Sequence, residues 1–271
     1  MHYVNEDLRA VFDANHLFDQ VALIEGEVYR ELEARRTVRF QAGNRAYFAK
    51  VHFGVGWWEI FKNLFQLRLP IVGATNEWLA LSRLAELDIA TVKPVAFASE
   101  GWNPARRHSC IITEALENTS SLEDLVANTT IEPTLRRRLI RRLADVSRRM
   151  HDNGINHRDF YICHFLIDLD TLHEPEPTLY LIDLHRAQIR ARTPERWLVK
   201  DLGGLFFSAF DAGIGRKDVF RFIKLYANKP LRQALHDDRA FWRKVLHRAR
   251  SLYLQDQRSL PAWVEALDDH G

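Results

Sequence analysis

Cysteine is nearly missing from the 271 residues: only Cys110 and Cys163 occur, each within an apolar run. Two such residues build no disulfide framework and no zinc-ligand spacing, so reduced, buried thiols are expected. Net charge is nearly missing as well. The 38 basic and 36 acidic side chains leave +2, which argues against wholesale nucleic-acid binding although arginines cluster locally. No window reaches the roughly 18 uninterrupted apolar residues of a membrane span, and the opening MHYVNEDLRAVFDANHLFDQ has no basic-then-apolar leader. A cytoplasmic location follows as the expectation. Internal repeats and low-complexity tracts are lacking too. What is present is an apolar fraction of 46%, ordinary for a globular chain able to bury a core.

The periodicity of the apolar positions changes once along the chain. From about Glu27 to His52 they alternate, with Gly43-Asn44 as a turn signal, which predicts an antiparallel meander. In TNEWLALSRLAELDI, Trp78, Leu81, Leu84, Ala85 and Leu87 fall at helical spacing, and KPVAFASE and RHSCIITEAL read as two more strands. After the polar break at Glu117-Asn118-Thr119 the pattern is helical. SLEDLVA is short; EPTLRRRLIRRLADVSRRMHDNG is long, starting near Pro133 and stopping at Asn153-Gly154. Its seven arginines are expected on a solvated face, with an anionic docking surface as the other reading. CHFLID and TLYLID read as two strands around the turn-rich LDTLHEPEP, and the rest is helical. The expected fold is α+β and two-lobed: residues 1–116 as a small antiparallel-sheet lobe with one helix and an apolar insert at 54–70, and residues 117–271 as a larger helical lobe.

Between the long helix and the strand pair lies GINHRDFYICHFLID, Gly154 to Asp168. A helix end, then His157-Arg158-Asp159, then two strands, the second ending in Asp183, is the arrangement of a protein-kinase-like catalytic loop and metal loop. Phosphoryl transfer leaves a protein little covalent work; it positions the acceptor hydroxyl and neutralises charge. Asp159 is therefore expected to orient or accept the hydroxyl proton, and Asp183 to hold magnesium, which prefers oxygen ligands. Lys50, in YFAKVH on the third strand, fits the residue that reaches the nucleotide phosphates, with Glu77 as its helix-borne partner. Asp201 is expected as a buried anchor for the loop carrying His157 and Arg158. No single element decides the matter; their order does.

Three features depart from the common kinase pattern. His164 stands where an Asn usually binds a second cation, and either ligates metal or organises the loop, since magnesium favours imidazole less than oxygen. IDLHRA replaces the Asp-Phe-Gly motif. No glycine-rich loop precedes Lys50; ELEARRT occupies that place.

Taken together, HRDFYICHFLID, IDLHRAQ, KDLGGLFFSA and GVGWWEIFKNLFQLRLPIVGATNEW resemble the lipopolysaccharide core heptose kinases of the WaaP family, from about Tyr29 to Ser208. The resemblance implies ATP- and magnesium-dependent phosphorylation of the first inner-core heptose of a Gram-negative glycolipid at the cytoplasmic face of the inner membrane. It makes Asp159 the catalytic aspartate, leaves Lys50, Glu77 and Asp183 in the roles above, and makes His164 a family residue. Members of that family have also been described as tyrosine kinases.

The insert GVGWWEIFKNLFQLRL carries Trp57, Trp58, Ile60, Phe61, Leu64 and Phe65. Plain packing onto the small lobe is one reading. The other is a surface for a membrane or an acyl chain, with Lys62 and Arg68 suited to anionic headgroups or to an acidic acyl-carrier partner. Rival functions are a protein kinase acting on Ser, Thr or Tyr, a nucleotide-binding scaffold without catalysis, and a metal hydrolase built on His151, His157 and His164, whose spacings fit no zinc signature.

Overall fold

The computed structural model describes residues 1–32, 34–54, 56–65, 73–256 and 259–265. Its contacts divide the chain into two compact units. The first comprises Met1–Glu86, Val92–Glu117 and Leu184–Arg186. The second comprises Leu87–Thr91, Asn118–Asp183 and Ala187–Gly271.

In the first unit the chain begins with strand β1 (His2–Val4) and helix α1 (Leu17–Ala22), followed by the expected meander of β2 (Glu27–Leu32), β3 (Arg35–Ala42) and β4 (Arg45–His52). Gly43, at φ +60°, turns β3 into β4, a backbone region open to glycine at little cost. Helix α2 (Gly56–Phe65) and helix α3 (Thr75–Glu86) precede β5 (Pro94–Glu100) and β6 (His108–Glu114). The six strands form one sheet in the order β1-β5-β6-β4-β3-β2, antiparallel throughout. The sequence reading assigns no element to the first residues, yet β1 closes an edge of this sheet and α1 covers a face. Leu17, Phe18 and Val21 of α1 pack in one buried cluster with Tyr47, Ala49, Val51, Ala96, Ala98, Cys110 and Ile112. Because side chains alternate across a strand, Lys50 belongs to the opposite face, in a row with Ile111 and Phe97. Trp78 of α3 stacks on Phe97, with 5.1 Å between ring centroids.

The second unit holds β7 (Thr119–Ser121), α4 (Leu122–Asn128), α5 (Pro133–Asp152) and β8 (Ile155–Asn156). Beyond these come β9 (Phe165–Asp168), β10 (Leu179–Leu181) and β11 (Gln188–Ile189), and then α6 (Glu195–Ala209), α7 (Arg216–Ala227), α8 (Leu231–Asp237), α9 (Arg239–Gln255) and α10 (Ala262–Glu265). Ser121 caps α4 by accepting from the Asp124 N–H, one of the four donors a helix start leaves unpaired. β9 pairs antiparallel with both β10 and β7, and β8 pairs with β11. The strand in CHFLID begins only at Phe165, because Ile162–His164 forms a 3-10 turn.

Two expectations need correction. Five of the seven arginines on α5 are half-buried rather than solvated; only Arg137 and Arg141 are exposed. Arg149 donates to the Leu87 and Asp88 carbonyls, Arg138 to the Glu174 carbonyl and Arg136 to that of Gly213, so their long stems and forked heads fasten loops to the helix. Cys163 is only half-buried, whereas Cys110 lies fully inside and burial pushes its thiol up to about 12. Among the described residues no helix is long and apolar enough to cross a membrane.

Candidate active site

Lys50 sits in the middle of β4, flanked by Thr37 of β3 and Ile111 of β6. Its ammonium lies 2.5 Å from Oε1 of Glu77, in the first turn of α3, and the Glu77 side chain is 2% exposed. The second carboxylate oxygen of Glu77 is buried without a hydrogen bond. A charged group so deeply placed is kept by its partner, and the partner in turn is pinned by it. His52, two residues on along the same strand, is driven down to about 4, first by burial and then by Arg35, with Lys50 and His185 adding to the drop and Glu77 opposing it. It is a neutral imidazole at physiological pH. The stretch ELEARRT, which stands where kinases carry a glycine-rich loop, lies at the hairpin of β2 and β3, in which Leu32 pairs with Arg35; Glu33 lies outside the described residues.

In the second unit the loop after Gly154 is organised from beneath by Asp201, fully buried in the first half of α6. Its Oδ2 accepts from the His157 N–H at 2.6 Å and its Oδ1 from the Arg158 N–H at 2.9 Å. His151 at the end of α5 approaches the same carboxylate at 3.4 Å through Nε2. With that nitrogen donating to Asp201, Nδ1 is left to accept from the Tyr226 hydroxyl at 2.9 Å, and burial pushes the Tyr226 phenol up so that it keeps its proton. Arg158, held this way, has φ +78°, and Asp183 has φ +62°. Left-handed backbone in residues with a Cβ persists only where neighbours over-determine it, and such positions gather at functional sites.

A second set of bonds ties the loop to the segment ending in Asp183. The His157 ring, fully buried, faces the Ile182 carbonyl through Nε2 at 2.9 Å. Burial pulls its pKa down against the pull of Asp201, so the ring is neutral and Nε2 carries the donated proton. In that tautomer the buried Nδ1 is an acceptor left without a hydrogen bond. The Ile182 N–H in turn donates to the His164 carbonyl at 3.0 Å.

His164 faces the Asp159 carbonyl through Nδ1 at 2.6 Å and stands 3.6 Å from Oδ2 of Asp183 through Nε2. Burial alone would lower its pKa; the Cys163 side chain, the Asp159 carbonyl and Asp183 outweigh it and hold the imidazole at about 9. The arrangement suits a cation. An Nδ1–H donating to a carbonyl is the usual outer contact of a metal-bound histidine; without a cation the protonated ring pairs through Nε2 with the Asp183 carboxylate, and a cation bound there would displace that proton. A magnesium ion held by one or two protein groups would take its other ligands from phosphates and water. Among the described residues no group of three or more His, Cys, Asp or Glu side chains could hold a metal alone. The histidine-based hydrolase loses its ligands accordingly, since His151 and His157 are both committed to structural hydrogen bonds.

The structure thus gathers Asp159, His164, Asp183, His157, Arg158 and Asp201 within the second unit, and Lys50 with Glu77 within the first. Trp57, Trp58, Phe61 and Phe65 form no part of either group. All four are exposed on α2, Trp58 at 82% and Phe65 at 89%, and Trp57 stacks on Phe61. The Lys62 side chain, Arg68 and the rest of the insert from residue 66 to 70 lie outside what is described. Sequence reasoning missed His52, the His151–Tyr226 pair, and the cations around Trp197, of which the run ERWLVK was a visible signal.

A model of the lipopolysaccharide kinase (Kdo/WaaP) family matches residues 19–226. The chain belongs to the Kdo/WaaP family. Similar relatives include the lipopolysaccharide core heptose(I) kinase WaaP of Escherichia coli K12, 47% identical over 236 residues that make up 86% of this chain and 89% of the relative. The enzyme of the same name from Pseudomonas aeruginosa is 42% identical over 259 residues, 94% of this chain and 97% of the relative. A solved structure of WaaP in complex with acyl carrier protein superposes with a TM-score of 0.80 at 38% identity, covering 93% of this chain and 99% of that one. The Kdo/WaaP fold seen here is α+β and protein-kinase-like, a small antiparallel sheet unit and a mainly helical one.

Proposed function

We propose that the protein is a phosphotransferase that moves the γ-phosphoryl group of ATP to a hydroxyl of a heptose in the lipopolysaccharide inner core. The observation that carries the reading is the double fastening of the loop bearing Asp159, by Asp201 beneath it and by the His157–Ile182 bond to the Asp183 segment. Such rigidity is what positioning an acceptor requires. In this reading Asp159 takes the proton of the attacking hydroxyl, Lys50 contacts the nucleotide phosphates while Glu77 keeps its ammonium in place, and Asp183 with His164 holds magnesium. The cation supplies charge neutralisation on the phosphates when bound.

Mass analysis of core oligosaccharide incubated with ATP and magnesium tests this. The wild type should add one phosphate, and Asp159→Ala and Asp183→Ala should reduce the rate by about 10²–10⁴-fold without loss of fold. Phosphate appearing on protein and never on oligosaccharide would shift the reading to a protein kinase.

The exposed aromatic side of α2 supports contact with an acyl chain, either at the inner membrane surface or presented by an acidic acyl-carrier protein, the partner in the related solved complex. Four large exposed aromatics on one ten-residue helix exceed what a free surface usually leaves bare. Trp57→Ala with Trp58→Ala should change stability by less than about 0.5 kcal/mol while abolishing co-sedimentation with vesicles or binding to acylated carrier; unchanged association would refute this contact.

A further inference from the structure

Arg158, the residue before Asp159, does not stand alone. Its guanidinium lies 5.5 Å from the centre of the Trp197 ring, as do those of Arg190 and Arg196, and the Lys200 ammonium lies 4.4 Å from it. Four cations share one indole. Attraction to a ring face accounts for one or two of them, but mutual repulsion opposes the rest. Lys200 is exposed and Arg190 half-buried; partial loss of water, followed by the charges of Arg248, Arg158 and Arg196, lowers the pKa of Lys200, and partial loss of water with Arg196 lowers that of Arg190. Among the described residues no carboxylate lies within ion-pair distance of Arg190, Arg196 or Lys200. The nearby Glu195 is taken by Lys244 at 2.6 Å, and Asp201 is spent on the loop backbone. Arg190 is instead held by neutral acceptors, Oδ1 of Asn156 and Oε1 of Gln188, so it is oriented without being neutralised. The Trp197 indole N–H is itself buried and lacks an acceptor.

Arg190, Arg196 and Lys200, gathered at one indole and without a carboxylate partner among the described residues, with Arg190 aimed by two amide oxygens, make a site for an anion. Its position on the chain says which one. Arg158 adjoins the aspartate that receives the acceptor hydroxyl, whereas the nucleotide phosphates have Lys50. We infer that the cluster around Trp197 binds the oxyanions of the acceptor glycan, a sugar-acid carboxylate or a sugar phosphate near the reacting hydroxyl, with Arg196 and Lys200 as specificity-determining residues. The inference rests on the kinase reading above.

The test uses deacylated core oligosaccharide in three forms: intact, carboxyl-reduced and phosphatase-treated. Calorimetric binding is measured alongside turnover with ATP, for the wild type, Arg196→Gln/Lys200→Gln and Lys200→Arg. The wild type should bind the intact acceptor about tenfold more tightly than one of the two modified forms, and which form loses affinity tells carboxylate from phosphate. The double variant should erase that difference and raise the acceptor KM by the same factor, with ATP KM unchanged; Lys200→Arg should retain the preference. Equal binding of all three acceptors by the wild type overturns the inference. So does a double variant that weakens every acceptor equally or raises the ATP KM instead. A wild type that binds the anionic acceptor selectively but transfers no phosphate leaves the anion site standing and removes the kinase reading alone.

Discussion

Glu77 and Asp201 are both carboxylates sealed from water, and they do opposite jobs. Glu77 faces one flexible side chain and fixes where a cation stands; one of its oxygens has no hydrogen bond. Asp201 faces two consecutive backbone N–H groups and a histidine, and it fixes the path of the chain itself. Losing the first should misplace a charge, whereas losing the second should release a loop. A buried carboxylate is therefore informative about function only once the chemistry of its partners is known.

The largest break in this comparison is Asp201→Asn. The amide cannot accept from both N–H groups without turning its own NH₂ onto a donor, so unfolding in urea should show a loss of about 3 kcal/mol, and turnover should fall because Arg158 no longer keeps its left-handed backbone. Glu77→Gln is the milder counterpart. It preserves shape and a hydrogen bond to Lys50 but removes the charge, so the KM for ATP should rise by about tenfold, at a cost of roughly 1.4 kcal/mol, while the melting temperature stays nearly constant. An equal loss of stability in the two variants would erase the distinction.

A pH titration sharpens the same contrast without mutation. His52 has a folded pKa of about 4 against an ordinary 6.5, and it faces Arg35, Lys50, Glu77 and His185. The unfolded chain binds this proton first, so stability rises with pH between about 4 and 6.5 and is level above that. The full span corresponds to about 3 kcal/mol. His52→Gln should flatten that part of the stability profile; an unchanged slope would show that other groups cause it.

Much of the architecture was readable because local patterns agreed with the final contacts. The alternation in RAYFAKVH identified β4, and the helical spacing of Trp78, Leu81 and Leu84 identified α3. The order of motifs pointed to phosphoryl transfer because strand, helix and loop positions could be inferred together. What escaped was non-local. The arginines of α5 look solvated when only helix periodicity is considered, and their carbonyl partners at Leu87, Glu174 and Gly213 lie far away in sequence. Trp197 gathers cations from three separate segments. The packing of α1 beneath the sheet is set by contacts across about 90 residues, which no window of sequence displays.

Gly154 supplies a last point. It adopts φ +77°, and a Cβ there would lie 1.8 Å from the Arg190 carbonyl oxygen, while the Arg190 N–H donates to its own carbonyl at 2.9 Å. The acceptor of that Arg190 N–H is the Gly154 carbonyl, so two main chains touch at a spot with no room for even one methyl group. The stretch leading to Asp159 and the residue that orients an acceptor-side guanidinium therefore share a single spacing, and alanine at position 154 would disturb both ends of that gauge in one stroke.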